Sequence, residues 1–273
     1  MKRVVLLTSS ELRHTYFRMY LGLQKNIEVI ASFCESSDKN LVHQIKNSAQ
    51  EKLRHRHLQD RHQVEKDFFQ IFCDHALDLS NPLDISKGDI NTPEIIENIV
   101  YLNPDIIISY GSSIIKLPLI DSFQDRFVNV HLGLSPYYRG SGTNFWPFVN
   151  NAPEYVGVTF MKIDAGIDTG EIIHQIRPEM HLNDTFHVIC NRLLVVMTSK
   201  MTQLIHNFEN LNELRQIDQS KGDLYYTNLD FTEVSVARLY DNFKQGVVSR
   251  YLKNKKERDL AAPILQNPAL NNE

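Results

Sequence analysis

Cysteine is scarce: the chain has three, Cys34, Cys73 and Cys190, in 273 residues. An odd number at such wide spacing excludes a disulfide framework and fits no zinc motif, so no metal is expected. A reduced, cytoplasmic setting is the corresponding expectation. An excess of positive charge is also missing. With 29 Lys and Arg against 33 Asp and Glu, the net charge is −4, which gives no overall field to recruit nucleic acid. No apolar run reaches the roughly 18 residues of a membrane span, so no membrane association is expected. The start, Met1-Lys-Arg-Val-Val-Leu-Leu, resembles the head of a secretory leader, but its apolar run stops at Thr8-Ser-Ser-Glu11, too short for one. No G-x-G-x-x-G follows the first strand-like segment, which argues against a nicotinamide cofactor. There are no internal repeats, and Asn-rich low complexity is confined to the last few residues.

What is present is ordinary for a globular chain: 42% hydrophobic and 23% charged residues. The length suits one large domain with an appendage, and we place the division at 1–208 and 209–273. Residues 3–7 read as a buried strand. A helix follows from Ser9 or Ser10 to about Gln24, with Leu12, Phe17, Tyr20 and Leu23 inward. Residues 27–33 form a second strand, so the unit is βαβ with parallel pairing. Residues 37–79 are polar and helical, with Leu41, Ile45, Ala49 and Leu53, then Val64, Phe68 and Phe72, at helical spacing. Asn91 or Thr92 caps a helix with Pro93 at its first position and Ile95, Ile96, Ile99 and Val100 on its buried side. Residues 106–109 are a wholly apolar strand of the parallel kind. A helix runs from Asp184 to about Phe208 with Ile189, Leu193, Val196, Met197, Met201 and Leu204 in one stripe. Another covers Thr232 to Leu252. The fold class is therefore α/β: an open, mostly parallel twisted sheet flanked by helices, with a small, partly helical C-terminal appendage.

The most informative stretch is 126–173. Residues 126–130 read as a strand ending in Asn129 and His131, and period-2 alternation turns both side chains to one face. A loop containing Gly133, Pro136, Arg139, Gly140 and Gly142 follows. A second strand, 156–163, runs into the turn DAGIDTG, residues 164–170. An amide donor, an imidazole and a carboxylate are the parts that acyl transfer to an amine requires. Singly, each residue has an ordinary structural reading, as a strand-end polar cap or a turn former.

Together they resemble the 10-formyltetrahydrofolate-dependent formyltransferases, and among these the sugar N-formyltransferases. The shared features are Asn129-Val-His131, Pro136-Tyr-Tyr-Arg139-Gly140, Gly157-Val-Thr159, the Asp164–Gly170 turn, and the upstream segment YGSSIIKLPLI, residues 110–120. The specific part covers about 105–175. The resemblance implies 10-formyltetrahydrofolate as formyl donor and Asn129, His131 and Asp168 as catalytic residues. Asn129 serves the developing oxyanion, His131 receives the amine's proton, and Asp168 holds His131. It further implies donor contacts from Ser113, Ile114, Ile115, Lys116, Asp164 and Gly166, with Ile114, Ile115 and Leu117 walling a flat pterin. The family usually carries Ser two residues after the His. Here that position is Gly133, which is expected to leave space near the attacking amine.

The acceptor is read from the rest of the chain. After Phe208 there are nine basic residues, Arg215 to Arg258, and ten acidic ones, Glu209 to Glu273. A neutral tail is a poor clamp for tRNA. Tyr137, Tyr138, Arg139 and Trp146 suit a sugar or base as substrate-binding residues, because aromatic faces stack on both. The expected substrate is a small amine, an amino-deoxysugar linked to a nucleotide, in lipopolysaccharide or related surface-polysaccharide synthesis. The alternatives are a methionyl-tRNA formyltransferase, another small-amine formyltransferase, and, from a different class, a nucleic-acid-binding protein. That last reading uses the basic 52–66 segment with Arg54, Arg56, Arg61, His55, His57 and His62. The plainer reading of this segment is a solvated helix face. A homodimer is compatible with the sequence.

Overall fold

The computed structural model describes residues 1–36, 52–218 and 224–270. Its centre is a seven-stranded sheet in the order β3-β2-β1-β4-β5-β7-β8. The strands are β1 (Lys2–Ser9), β2 (Ile27–Glu35), β3 (Pro82–Ile85), β4 (Ile106–Tyr110), β5 (Phe127–His131), β7 (Val158–Lys162) and β8 (Ile172–Ile176). The first five are parallel, and β7 is antiparallel to both neighbours. The chain moves outward from β1 to β2 and β3, then returns across β1 to β4. That reversal leaves a crevice at the carboxyl ends of β1 and β4, where open α/β sheets bind ligands. A two-stranded parallel sheet joins β6 (Tyr138–Gly140) to β9 (Leu224–Tyr226).

Strand alternation sorts the core into two layers. Val4, Leu6, Ile106, Ile108, Val128 and Val130 face one layer, which Phe17 and Leu21 of α1 (Leu12–Gly22), Phe69 of α2 (Lys52–His75) and Ile189, Leu193, Met197 and Met201 of α6 (Phe186–His206) complete. Val5, Leu7, Ile107 and Phe127 face the other, against Ile99 of α3 (Pro93–Leu102) and Leu119 and Ile120 of α4 (Leu117–Ser122). By length and composition α6 is apolar enough to cross a membrane, with mean hydropathy 1.2, but half of that window is buried within this core.

The 209–273 segment, expected as an appendage, packs into the first layer. Val236 and Leu239 of α7 (Glu233–Lys244), and Val247, Val248 and Tyr251 of α8 (Val247–Lys253), belong to the same apolar cluster as β1. The single helix expected over 232–252 is broken at Gly246, whose φ of 77° ends the first and starts the second. A short α9 (Lys255–Ala261) follows, and α5 (Phe145–Val149) carries the central aromatics.

Other departures have local causes. The first helix has Glu11, not a serine, at its N-cap, and the Glu11 carboxylate pairs with Arg13 and Arg61. The fourth predicted helix starts at Phe186, with Thr185 as its cap. Asp184 instead forms a two-pronged bridge to Arg192 at 2.8 and 2.9 Å. The expected Leu41, Ile45 and Ala49 stripe lies outside the described residues. In α2 the inward positions are His57, Glu65 and Phe69 rather than Val64 and Phe68. They follow a four-residue spacing, but two of the three are polar, so hydrophobic periodicity alone selected the neighbouring face.

His57 is enclosed by the rings of Phe145, Phe186, His187 and Phe231 at 4.5–5.7 Å between centroids. Burial, then the neighbouring His187 and Arg61, push it down to about 3. Burial and Arg61 push His187 down to about 4. Burial also takes His174 to about 4, and its Nδ1 accepts from the Asn267 N–H at 2.9 Å. Between these values and the ordinary 6.5, the unfolded chain binds more protons than the folded one. Stability is therefore expected to fall as pH drops from about 6.5 toward 4. Thermal melts across that range check this, and His57→Phe should flatten the slope.

Candidate active site

Asn129 and His131 sit two residues apart at the carboxyl end of β5, opposite Met161 and Thr159 of β7. The sheet continues past them into the loop 163–171, which returns Asp168 to the same point. His131 Nδ1 lies 3.2 Å from Asp168 Oδ1, and Asn129 Nδ2 donates to the same oxygen at 3.4 Å. The backbone N–H of Gly140 donates to Oδ2 at 3.1 Å. Burial alone would raise the Asp168 carboxyl. The His131 ring, the Gly140 N–H and the Arg139 charge outweigh it and hold the group below the usual carboxylate range. On its other side, His131 Nε2 lies 3.0 Å from the Tyr138 carbonyl. Both partners of the ring are acceptors, so an imidazole with one proton satisfies only one of them.

The loop that delivers Asp168 is self-braced. Asp164 accepts from Thr169 Oγ1 at 2.9 Å and from the Gly166 N–H at 3.1 Å. At Gly170 a Cβ would lie 1.8 Å from the Lys162 carbonyl oxygen, so only glycine permits the approach. Asp168 itself has φ 55°, a conformation an L-residue holds only when its surroundings fix it.

The three residues line a cavity of about 600 Å³ at the carboxyl edge of the sheet. Ser113, Ile114, Ile115, Asp164 and Gly166 also line it; Lys116 does not. The 110–116 segment is pinned from below. Buried Glu35 accepts from the Ser113 N–H at 2.5 Å and the Gly88 N–H at 2.8 Å. The Asn91 side chain accepts from the Lys116 N–H at 2.8 Å and donates to the Ile114 carbonyl at 2.9 Å. Three backbone groups of this segment are thus already committed. Ile115 is buried in the second core layer, while Ile114 is 67% and Leu117 53% exposed.

The expected substrate-binding aromatics are placed differently. Tyr137 is buried and donates to the Pro263 carbonyl at 2.9 Å. Tyr138 is buried beside Asn150 and reaches the site only through its carbonyl. Neither ring lines the cavity. Trp146 does, but one face stacks on Tyr226 at 4.2 Å and its Nε1 donates to the Ser141 carbonyl at 2.9 Å. Arg139 donates to the Ile167 carbonyl at 3.5 Å, bracing the loop. Gly133 does not open space either. A Cβ there would meet His131 Nε2 at 2.5 Å and Thr143 Oγ1 at 2.7 Å. Ser135, two residues on, has a buried hydroxyl outside the cavity.

Other cavity residues carried no sequence motif. Arg13 and His14 start α1; His57, Arg61 and Glu65 come from α2; His187, Cys190 and Asn191 come from α6; Tyr225 lies in β9, and Thr227, Asn228 and Phe231 follow it. Arg13 Nη1 and Arg61 Nε reach Glu65 Oε1 at 2.7 and 3.0 Å, and Arg61 also reaches Glu11 at 2.8 Å. The basic 52–66 segment is thus not wholly a solvated face: His57 is buried, Arg61 is paired, and Arg56 meets Asp60 at 3.6 Å. Burial pushes the Cys190 thiol up to about 12, which leaves it a neutral wall group. Among the described residues, no His, Cys, Asp and Glu cluster with metal-binding geometry occurs.

A sequence model of the formyl transferase family matches residues 2–205. The chain belongs to this family. Among curated relatives, a methionyl-tRNA formyltransferase of Alkaliphilus oremlandii is 31% identical over 140 residues, half of this chain and 43% of that protein. One from Clostridioides difficile is 28% identical over 163 residues, 56% of this chain and 52% of that protein. The chain spans about half the length of the curated relatives it matches. Among solved structures, a sugar N-formyltransferase from a Shewanella species superposes over 88% of both chains with a TM-score of 0.56 at 17% identity. A phosphoribosylglycinamide formyltransferase from Bacillus halodurans covers 76% of this chain and 95% of its own, with a TM-score of 0.52 at 18% identity. These likenesses establish a common fold.

The Gly133 contacts yield a direct check. Gly133→Ser should cost about 1–3 kcal/mol in chemical denaturation, because the new side chain overpacks against Thr143 and His131. Adding Thr143→Gly should recover part of that loss, since the two sites share one volume.

Proposed function

We propose that this formyl transferase family member is an N-formyltransferase that carries a formyl group from 10-formyltetrahydrofolate to the amine of a nucleotide-linked amino-deoxysugar. A cytoplasmic role in surface-polysaccharide synthesis follows from that reading. The observation that carries it is the meeting of Asn129, His131 and Asp168 at the edge of one cavity, with Asp168 bonded to both of the others.

The donor supplies the formyl carbon, and its nitrogen takes a proton as the group leaves. The chain's residues manage charge. The acceptor amine attacks as a free base and must shed a proton as the tetrahedral intermediate forms. His131, with its ring nitrogens 3.2 Å from Asp168 and 3.0 Å from the Tyr138 carbonyl, is the group assigned to receive that proton. Asp168, ionised throughout, stabilises the imidazolium. Asn129 has two amide N–H groups. One points to Asp168, and the other remains for the oxyanion. The segments 111–115 and 163–170 both border the trio, which suits a flat donor ring between them.

Two features support a sugar over a tRNA. The chain after Phe208 carries nine basic and ten acidic residues, with no surplus charge for a polyanion. Its contribution to the cavity is Tyr225, Thr227, Asn228 and Phe231, neutral side chains suited to a small polar ring. The identity of the curated relatives favours a second reading, formylation of methionyl-tRNA.

The test incubates the protein with 10-formyltetrahydrofolate and either a panel of amino-nucleotide-sugars or charged methionyl-tRNA, reading the gain of one formyl mass. Product on a sugar and none on tRNA is expected; the reverse would sink the proposal. Asn129→Ala should lower turnover by about 100–1000-fold, the usual effect of losing an oxyanion donor.

A further inference from the structure

One wall of the cavity is the first two turns of α6, which present Phe186, His187, Cys190, Asn191 and Leu194. Two of these five are polar, one turn apart, and almost wholly buried at 5% and 3% exposure. The Asn191 Nδ2 donates to the His187 carbonyl at 2.9 Å. That bond fixes the amide's orientation, because the flipped form would set two carbonyl-type oxygens against each other. The Asn191 Oδ1 is left without a partner. The His187 Nε2 is likewise buried and unpartnered. Burial keeps this ring neutral, and in the tautomer that carries its proton on Nδ1 the Nε2 is an acceptor. Two buried polar atoms one helical turn apart, each lacking a partner, are costly unless something bonds to them.

The surroundings narrow what that is. Phe145, Phe186 and Phe231 surround His57 and line the same cavity, with Phe145 6.0 Å from Phe186 and 5.3 Å from Phe231. The nearby carboxylates are engaged, Glu65 by Arg13 and Arg61 and Asp60 by Arg56 at 3.6 Å, so neither is a free counter-charge for a cation. Neutral donors beside apolar rings are the chemistry of a hydroxylated ring, whose C–H face packs on aromatics while its O–H groups seek acceptors.

We propose that His187 Nε2 and Asn191 Oδ1 are the specificity-determining pair of the acceptor subsite and that they receive hydroxyl hydrogens from the sugar of the acceptor. The inference rests on the sugar reading above and adds which atoms choose among sugars.

The test uses the full chain, 10-formyltetrahydrofolate, an amino-nucleotide-sugar that the wild type formylates, and its congener lacking one ring hydroxyl. Asn191→Leu and His187→Phe are compared with wild type for the KM of each substrate and for Tm. With Asn191→Leu the acceptor KM should rise roughly tenfold, the loss of one neutral hydrogen bond, while the donor KM stays within about twofold. Its Tm should hold or rise, because an apolar group replaces an unsatisfied acceptor. A merely structural Asn191 would show the opposite, a lower Tm with unchanged acceptor KM. The wild type should discriminate against the deoxy congener and Asn191→Leu should not; equal use of both congeners by the wild type overturns the pair without any variant. A rise in donor KM instead would assign the two atoms to the folate and overturn the proposal. If the wild type formylates no amino sugar, the functional reading falls and takes this with it. An active wild type whose variants keep their acceptor KM overturns the pair alone.

Discussion

Everything at the catalytic edge depends on where one carboxylate is held. Asp168 receives hydrogen bonds from Asn129 and from the Gly140 backbone and lies against His131, so it ties the end of β5, strand β6 and the β7–β8 loop to one point. Its left-handed backbone costs on the order of 1–2 kcal/mol for an L-residue. The bonds it collects, and the Asp164–Thr169 brace beneath it, offset that cost. Were the loop to move, the carboxylate would be left partly buried without its partners, which is the expensive outcome for an ionised group. The seated loop is held at that carboxylate by all three contacts.

Around that point the molecule keeps its interior close to neutral. Arg13 and Arg61 are balanced by Glu11 and Glu65, and His57 and His187 are uncharged by burial. The same pairing fixes Arg61 and Glu65 of α2 in the cavity wall.

The sheet and the meeting of Asn129, His131 and Asp168 were legible because both are written in local patterns: wholly apolar strands, a strand-end Asn-x-His, and an Asp–Gly turn. The inward face of α2 was not, because His57 and Glu65 occupy core positions that apolar periodicity passes over. Tyr137 and Tyr138 were read as ligand surfaces from their type and their nearness to His131. Their direction is set by the turn, which buries both. His187 and Asn191 are two buried polar residues one turn apart on a helix that carries several other polar residues, and only the cavity sets them apart. The contacts of β9 with β6 join residues more than 80 positions apart, and nothing in either tripeptide announces them.

That small two-stranded sheet has a consequence of its own. Residues 224–231 lie beyond the stretch matched by the family model, yet they seat Tyr226 against Trp146 and place Tyr225, Thr227, Asn228 and Phe231 on the cavity wall. The Asn129, His131 and Asp168 cluster and one part of the cavity wall thus come from different parts of the chain, joined through the β6–β9 ladder and the rings stacked on Tyr226. Tyr225, Thr227, Asn228 and Phe231 make no hydrogen bond to Asp168, so this part of the wall and the bonds that hold that carboxylate rest on separate side chains.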